Sequence, residues 1–310
     1  MTGTDAVADA LARLGGIAVA DEPLAQRTTY KVGGAAAVFA TPRTIDELRA
    51  VAAVAVDTGL PVVAIGWGSN MLVADEGVRG IVVSLAELCS SIDIDGTTVR
   101  AGSAVRLPVL ARRTVAAGLT GFEWAVGVPG TIGGALRTNA GGHGSDMVAC
   151  TTDVGLFDLR DGSVERVPAA ALGLRFRGSD LADHHLVLDA DLALARGDVA
   201  AGEALLTEIV RWRREHQPGG QNAGSVFINP VPGELAAAEL IDRLGLRGFA
   251  VGGAEVSTKH ANFIQASPGA RAADVRAVME HVRRRVADET GIVLRSEVRL
   301  VGFDDVEGTP

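Results

Sequence analysis

The spacing of apolar and polar positions changes character along the chain. The first stretch reads as a helix over 5–14, stopped by Gly15 and Gly16. Residues 35–40 are apolar and extended. Thr44 and Glu47 then form a capping box, and the helix they open runs to Gly59. The apolar run 61–65 predicts a buried strand ending at Gly66. From 81 to about 194, short strands alternate with turns: 81–84, 91–94 before Asp95-Gly96, 98–101, 154–159 before Asp161-Gly162, and 186–192. One helix near 108–117 interrupts them. Beyond Asp198 helical spacing returns, with amphipathic helices over 203–216, 234–244 and 272–290. Short strands are expected at 225–228, 261–265 and 292–301, and the acidic end 303–310 is expected to fray. No internal repeat appears, and the pattern is α+β.

The same periods place individual charges. In the last strand Leu294, Val298 and Leu300 share a face with the small Ser296, so Glu297 shares the other with Arg295 and Arg299. Arg175 and Arg177 share one face of an extended segment, opposite Leu174 and Phe176. By pattern alone these are surface ion-pairing positions. Ser225, after Gly224, reads as a serine that satisfies turn backbone.

Composition narrows the class. A length of 310 residues predicts two or three domains, and 47% hydrophobic with 22% charged residues is ordinary for a globular protein. No basic stretch precedes an apolar one at the start, so no signal peptide is expected. No run of about 18 apolar residues predicts a membrane span. The net charge of −9 argues against nucleic acid as a partner. It leaves room for small anions, which local groups bind. The basic clusters 211–214 and 283–285 read as solvated helix faces. Cys89 and Cys150 show neither CxxC nor zinc-like spacing and read as thiols of a reducing cytoplasm. His184-His185 and His260 lack a second ligand at metal spacing, so no metal is expected.

Two glycine segments carry candidate chemistry. The first, Gly66, Trp67, Gly68, Ser69 and Asn70, directly follows an apolar strand. The second contains Gly127, Pro129, Gly130, Thr131, Gly133 and Gly134, followed by Asn139. Glycines admit positive φ, and their missing side chains let phosphates approach backbone N–H groups. Ser69, Asn70, Thr131 and Asn139 add neutral donors suited to a pyrophosphate or a flavin edge. Neither segment is G-x-G-x-x-G, so the Rossmann fingerprint is absent. Either loop alone would more often be structural; two in one chain favour a dinucleotide cofactor.

Together the loops resemble the flavin-binding segments of the p-cresol methylhydroxylase-type FAD domain. More narrowly, ordered blocks resemble the UDP-N-acetylenolpyruvoylglucosamine reductase family. They are residues 28–34 with Tyr30, 66–72, 122–134, 139–144, 175–179, 217–218, 222–230 and 294–302. The resemblance implies a lead-in at 1–26, then a two-subdomain FAD-binding domain at 27–200, divided near 85. A C-terminal α+β substrate domain at 201–303 and a tail at 304–310 would follow. It implies non-covalent FAD, NADPH as co-substrate and an enolpyruvyl UDP-sugar reduced to UDP-N-acetylmuramate for peptidoglycan. It also implies that Arg177 stabilises an enolate, Glu297 assists and Ser225 supplies the proton. Tyr30, Gly66, Gly68, Ser69, Asn70, Pro129, Gly130, Thr131, Gly133, Gly134 and Asn139 would meet the cofactor, and Asn229 the substrate. Because the family's FAD is not covalently held, His143 in the second loop is assigned no chemistry.

Three departures stand out. Phe176 replaces the family's usual tyrosine, and Ile228 replaces a frequent lysine, which removes a cation near an anionic substrate. Tyr30 is the single tyrosine and the span 177–203 is short, which resembles the shorter subtype without a tyrosine loop over substrate. Two alternatives stay open: another small-molecule oxidoreductase on the same flavin fold, and a catalytically silent nucleotide-binding relative. The Ser225 block and Glu297 count against the first, and the intact Arg177, Ser225 and Glu297 set against the second.

Overall fold

A computed structural model describes residues 3–303 of the chain; the tail 304–310 lies outside the described residues. Seven helices are described: α1 (Gly3–Leu14), α2 (Ile45–Thr58), α3 (Leu107–Ala116), α4 (Ile132–Arg137), α5 (Val199–His216), α6 (Ala237–Arg243) and α7 (Ala272–Thr290). Contacts divide the chain into two compact units. One holds the residues up to Glu22 with 36–67 and 79–213; the other holds 23–35, 68–78 and the chain from Arg214 on.

In the first unit, a four-stranded sheet runs in the order Ala18–Pro23, Ala35–Ala40, Val78–Val83, Val62–Ala64. Ala6, Ala10 and Leu14 of α1 pack with Val51, Val54 and Ala55 of α2, over Val38, Ala40 and Ile81 of the sheet. Thr44 accepts the Glu47 N–H at 3.1 Å, but the Glu47 carboxylate takes the N–H of Arg43, at 2.6 Å, not that of the cap residue. The α2 helix ends at Gly59, whose φ of 70° is left-handed. Strand Val62–Ala64 is parallel to Val78–Val83 and forms the sheet's edge, so its side chains are partly exposed. The expected buried strand is therefore an edge strand: an apolar run does not reveal how many of its faces are covered.

A second sheet of this unit is antiparallel throughout, in the order Val164–Pro168, Thr151–Asp158, His185–Ala193, Thr98–Gly102, Ile92–Asp95. Val99, Ala101, Val154, Leu156, Ala190 and Leu192 turn inward, against Leu107 and Leu110 of α3 and Ile132 and Leu136 of α4. Pro108 occupies the first turn of α3, where its missing N–H costs nothing.

In the second unit, strands Ala250–Val251, Ala254–Val256 and Ile264–Ala266 form an antiparallel sheet. One core joins Val256 and Ile264 to Leu240 of α6 and Val275, Val278, Val282 and Val286 of α7. Residues 68–78 enter this unit for identifiable reasons. Strand Met71–Val73 pairs in parallel with Arg299–Val301. The Asp75 carboxylate accepts the Ala272 and Ala273 N–H groups at 2.8 and 3.0 Å, at the positive start of α7. Residues 23–35 follow because Gly33 and Gly34 lie against them: a Cβ there would fall 2.5 Å from Val73 O and 2.3 Å from Asp75 O.

Two expected strands are reduced. Residues 225–228 make an isolated bridge, Phe227 to Ser296, and the strand expected over 292–301 is confined to Arg299–Val301. Among the described residues, no helix is long and apolar enough to cross a membrane.

Candidate active site

In the first unit the two glycine segments meet. A Cβ on Gly66 would fall 2.5 Å from Thr131 Oγ1, so only glycine allows that approach. Thr131 stands at the N-cap of α4, but its hydroxyl makes no capping bond. Gly130 has a φ of 147°, which a larger residue rarely adopts. The loop does not leave every amide open to a ligand, as the glycine pattern suggested. The Ile132 and Gly133 N–H groups donate to Val105 O and Ser103 O at 3.0 and 2.9 Å, which anchors the loop to the protein. Gly133 is also close to Ser103, Gly134 is exposed, with a Cβ there falling 3.7 Å from Thr131 Oγ1, and Pro129 is exposed. Beside Gly66, half-exposed Trp67 carries the Arg106 guanidinium 3.7 Å from its ring centroid.

Asn139 is buried with a φ of 41°. Its amide donates to Asp146 at 3.1 Å and accepts the Val148 N–H at 3.0 Å, which pins the small hairpin Gly141–Gly142 with Ser145–Asp146. Arg177 reaches that hairpin: its Nη2 donates to Gly141 O at 3.1 Å. Arg175 and Arg177 do not share a face of an extended segment, as the sequence suggested. Arg175 and Gly178 exchange backbone bonds of 2.9 and 3.0 Å, so Phe176 and Arg177 form a tight turn, with φ +55° at Arg177. Glycine or asparagine is the ordinary occupant of such a position. Arg175 turns away to Gly173 O at 3.0 Å and Asp180 at 2.5 Å. The Ser179 hydroxyl donates to Arg137 O at 2.8 Å and ties the turn to α4.

At the second loop, Arg213 was not read as a neighbour, and His143, read as part of the loop, was assigned no chemistry. Arg213, taken with a solvated cluster, donates to the Gly127 carbonyl. His143 has a φ of 51° and would meet a Cβ on Gly127 at 3.1 Å. Its ring stands edge-on to Trp212 at 5.1 Å. Burial, then the Arg213 charge, lowers its pKa below the usual histidine value. No local sequence signal links Arg213 to Gly127, since the acceptor is a main-chain carbonyl 86 residues away.

The histidine reading needs one correction. Asp158, His184 and His185 bring ligand atoms within 4.8 Å of one another, so His184-His185 do have a potential third ligand. Strand pairing supplies it, because Asp158 is opposite His185 in the ladder. The carboxylate is engaged otherwise: Arg160 Nη2 reaches it at 2.6 Å and Nε contacts both oxygens at 3.1 Å. The Arg160 hydrogen bond holds the Asp158 pKa down to about 2.

In the second unit, Gly68 has φ +60°, and a Cβ there would fall 2.2 Å from Arg27 O. The Thr29 N–H donates to Gly68 O at 3.2 Å, and half-buried Ser69 continues the loop. Asn70 Nδ2 donates to Glu297 O at 2.8 Å and Asn70 O accepts the Arg299 N–H at 3.0 Å, so the first loop ends bonded to the Glu297 segment. Ser225 and Glu297 lie on adjacent segments: the Glu297 N–H donates to Val226 O at 2.7 Å, and Ile228 N–H to Arg295 O at 2.9 Å. Asn229 Oδ1 accepts the Ala237 N–H at the start of α6, at 3.1 Å. Asn262, which sequence reasoning missed, bonds the Ser225 segment from its other side. Its signal was a polar residue between Ala261 and Phe263, inside an otherwise apolar run.

Several buried donors have no partner among the described residues. In the second unit they are the hydroxyls of Thr28, Thr29 and fully buried Tyr30, whose pKa burial raises; in the first, the Trp124 indole N–H. An unsatisfied buried donor costs about 1–3 kcal/mol. In either unit taken by itself, such neutral donors without acceptors suit the oxygen and nitrogen acceptors of a ligand like a flavin dinucleotide.

Residues 36–168 match the model of an FAD binding domain, and residues 216–301 that of the C-terminal domain of UDP-N-acetylenolpyruvoylglucosamine reductase. Mixed helix and strand, an FAD-binding part and a reductase part define an FAD-dependent oxidoreductase of two parts. The UDP-N-acetylenolpyruvoylglucosamine reductase of Heliobacterium modesticaldum is 42% identical over 91% of this chain and 90% of its own length. That of Rubrobacter xylanophilus is 40% identical over 94% and 98%. The solved structure of the Thermus caldophilus reductase superposes with a TM-score of 0.79 at 34% identity, over 92% of this chain and 98% of that one. The chain belongs to the UDP-N-acetylenolpyruvoylglucosamine reductase family.

Proposed function

We propose that this chain uses NADPH and non-covalently bound FAD to reduce UDP-N-acetyl-enolpyruvoylglucosamine to UDP-N-acetylmuramate, a peptidoglycan precursor. The observation that carries it is identity of about 40% with reductases of that name over nearly the whole of both chains. Bound FAD supplies the two-electron relay between NADPH and the enolpyruvyl double bond. The reading sets the reaction in the cytoplasm, where NADPH is available and the free thiols Cys89 and Cys150 stay reduced. It takes 27–200 as the flavin part and 201–303 as the substrate part, in the subtype without a tyrosine loop.

Adding a hydride, the hydrogen and electron pair that NADPH gives up by way of the flavin, to the terminal carbon of the enolpyruvyl group places negative charge on the enolate of its carboxylate, and the neighbouring carbon then takes a proton. Arg177 is proposed to hold that charge, because its guanidinium is a fixed positive fork. Its left-handed backbone supports the assignment: a non-glycine residue there costs roughly 1–2 kcal/mol, and such strain gathers at functional sites. Ser225 is proposed to give the proton and Glu297 to assist. Their support is the short bond between Glu297 N–H and Val226 O, which sets the two segments side by side. Asn229 is proposed to meet substrate. Tyr30, Gly66, Gly68, Ser69, Asn70, Pro129, Gly130, Thr131, Gly133, Gly134 and Asn139 are proposed to bind the flavin.

The test combines two measurements on the purified protein. Acid precipitation should release flavin into the supernatant, and NADPH absorbance should fall beyond the one equivalent that reduces the bound flavin only when the enolpyruvyl UDP-sugar is added. A colourless protein that cannot be reconstituted with FAD contradicts the reading.

A further inference from the structure

We infer that Asn262 is a positioning residue, which sets where Ser225 stands for proton donation. The inference rests on the proposed role of Ser225. The segment that carries Ser225 is irregular, with a single bridge from Phe227 to Ser296, so a sheet ladder does not fix its place. Asn262 supplies the missing partner. Its side-chain Oδ1 accepts the Phe227 N–H at 2.9 Å, its Nδ2 donates to Phe227 O at 2.8 Å, and its main-chain O accepts the Val226 N–H at 2.9 Å. A primary amide can make both side-chain bonds because it carries donor and acceptor side by side, as a neighbouring strand's backbone would. Asn262 is 3% exposed, and its main-chain N–H donates to His260 Nδ1 at 3.3 Å, so the backbone that carries the amide is itself held.

On the opposite edge Val226 O accepts from Glu297 and Arg295 O accepts from Ile228. Residues 226–228 are thus bonded along both edges, and Ser225 is the first residue beyond them. On its other side stands Gly224, with φ +77° and open space around a Cβ. With a pliant glycine before it and a fixed segment after it, Ser225 takes its position from the Phe227 bonds. A displacement of about 1 Å in a reacting group can cost on the order of 10²-fold in rate.

The experiment measures both half-reactions by stopped flow in Asn262→Ala, Ser225→Ala and the double variant, each first shown to hold FAD. Asn262→Ala should reoxidise its flavin with the UDP-sugar roughly 10–100-fold more slowly, while reduction by NADPH stays near normal. The double variant should be no slower than Ser225→Ala, since a residue acting through Ser225 has nothing left to lose. Amide hydrogen exchange at Phe227 should quicken in Asn262→Ala with the rest of the unit unchanged. If Asn262→Ala does not fold, Asn262→Asp replaces it: it keeps the acceptor for the Phe227 N–H, lacks the donor, and should slow the same half-reaction. Ser225→Ala slow with Asn262 variants normal overturns the inference, as do multiplying penalties or equal slowing of both half-reactions. Ser225→Ala without effect overturns the reading of Ser225 itself.

Discussion

Replacing Arg177 by glycine separates backbone strain from chemistry. The residue holds φ +55° at the third position of a tight turn. Glycine there relieves roughly 1–2 kcal/mol of strain. It gives back about 0.5–1 kcal/mol through the greater freedom of the unfolded chain. The lost bond from Arg177 Nη2 to Gly141 O, 3.1 Å long, removes a further ~0.5–1.5 kcal/mol. These nearly cancel, so Arg177→Gly should unfold within about 1 kcal/mol of the parent, and Arg177→Ala, which keeps the strain, should be less stable than Arg177→Gly. Turnover should fall on the order of 10²–10³ in both, because an enolate-stabilising donor is gone. Chemical denaturation of the flavin-loaded proteins gives the stabilities, and stopped-flow reoxidation by the UDP-sugar gives the chemistry. Turnover of Arg177→Gly within a few-fold of the parent refutes the role. Equal stability of the glycine and alanine variants refutes the strain.

Arg175→Met breaks the Arg175–Asp180 pair at the surface and should leave both half-reactions near normal, as stopped flow would show. Gly66→Ala should lose about 1–3 kcal/mol from the clash with Thr131 Oγ1, and melting should recover in Gly66→Ala with Thr131→Ala. The Asp158 carboxyl should titrate near pH 2 by NMR and move up toward the ordinary aspartate value in Arg160→Ala. Because the folded pKa is the lower one, the pair's stabilisation is present above the unfolded pKa and is lost as pH falls through about 2. Burial raises the thiol pKa of Cys89 to about 11 and of Cys150 to about 12, so a disulfide reagent should label both only on unfolding; fast labelling of the folded protein would contradict their burial.

Local patterns were legible where one face of an element decides its burial. The reading 272–290 coincides with α7, whose buried positions recur at helical spacing, and Gly59 and Gly291 stop their helices through left-handed φ. Features decided by distant partners were not. Val62–Ala64 looked buried because an edge strand in this sheet is as apolar as a central one. Met71–Val73 was invisible, since its partner strand Arg299–Val301 lies at the other end of the chain. The turn at Arg177 read as extended because arginine is not a turn residue. For the site, ordered motif blocks identified the family without showing what each side chain touches. Asn139 spends its amide on Asp146 and Val148, and Asn229 its carbonyl on α6, neither of which spacing reveals.

The central claim is that electrons pass from NADPH through the bound flavin to the enolpyruvyl group. The direct measurement is an anaerobic single turnover on the purified protein, with flavin absorbance followed and the sugar product weighed by mass spectrometry. NADPH should bleach the flavin, the enolpyruvyl UDP-sugar should restore its colour, and the sugar should gain two hydrogen atoms. A flavin that NADPH bleaches but the sugar does not reoxidise, with the sugar recovered unchanged, would contradict the account.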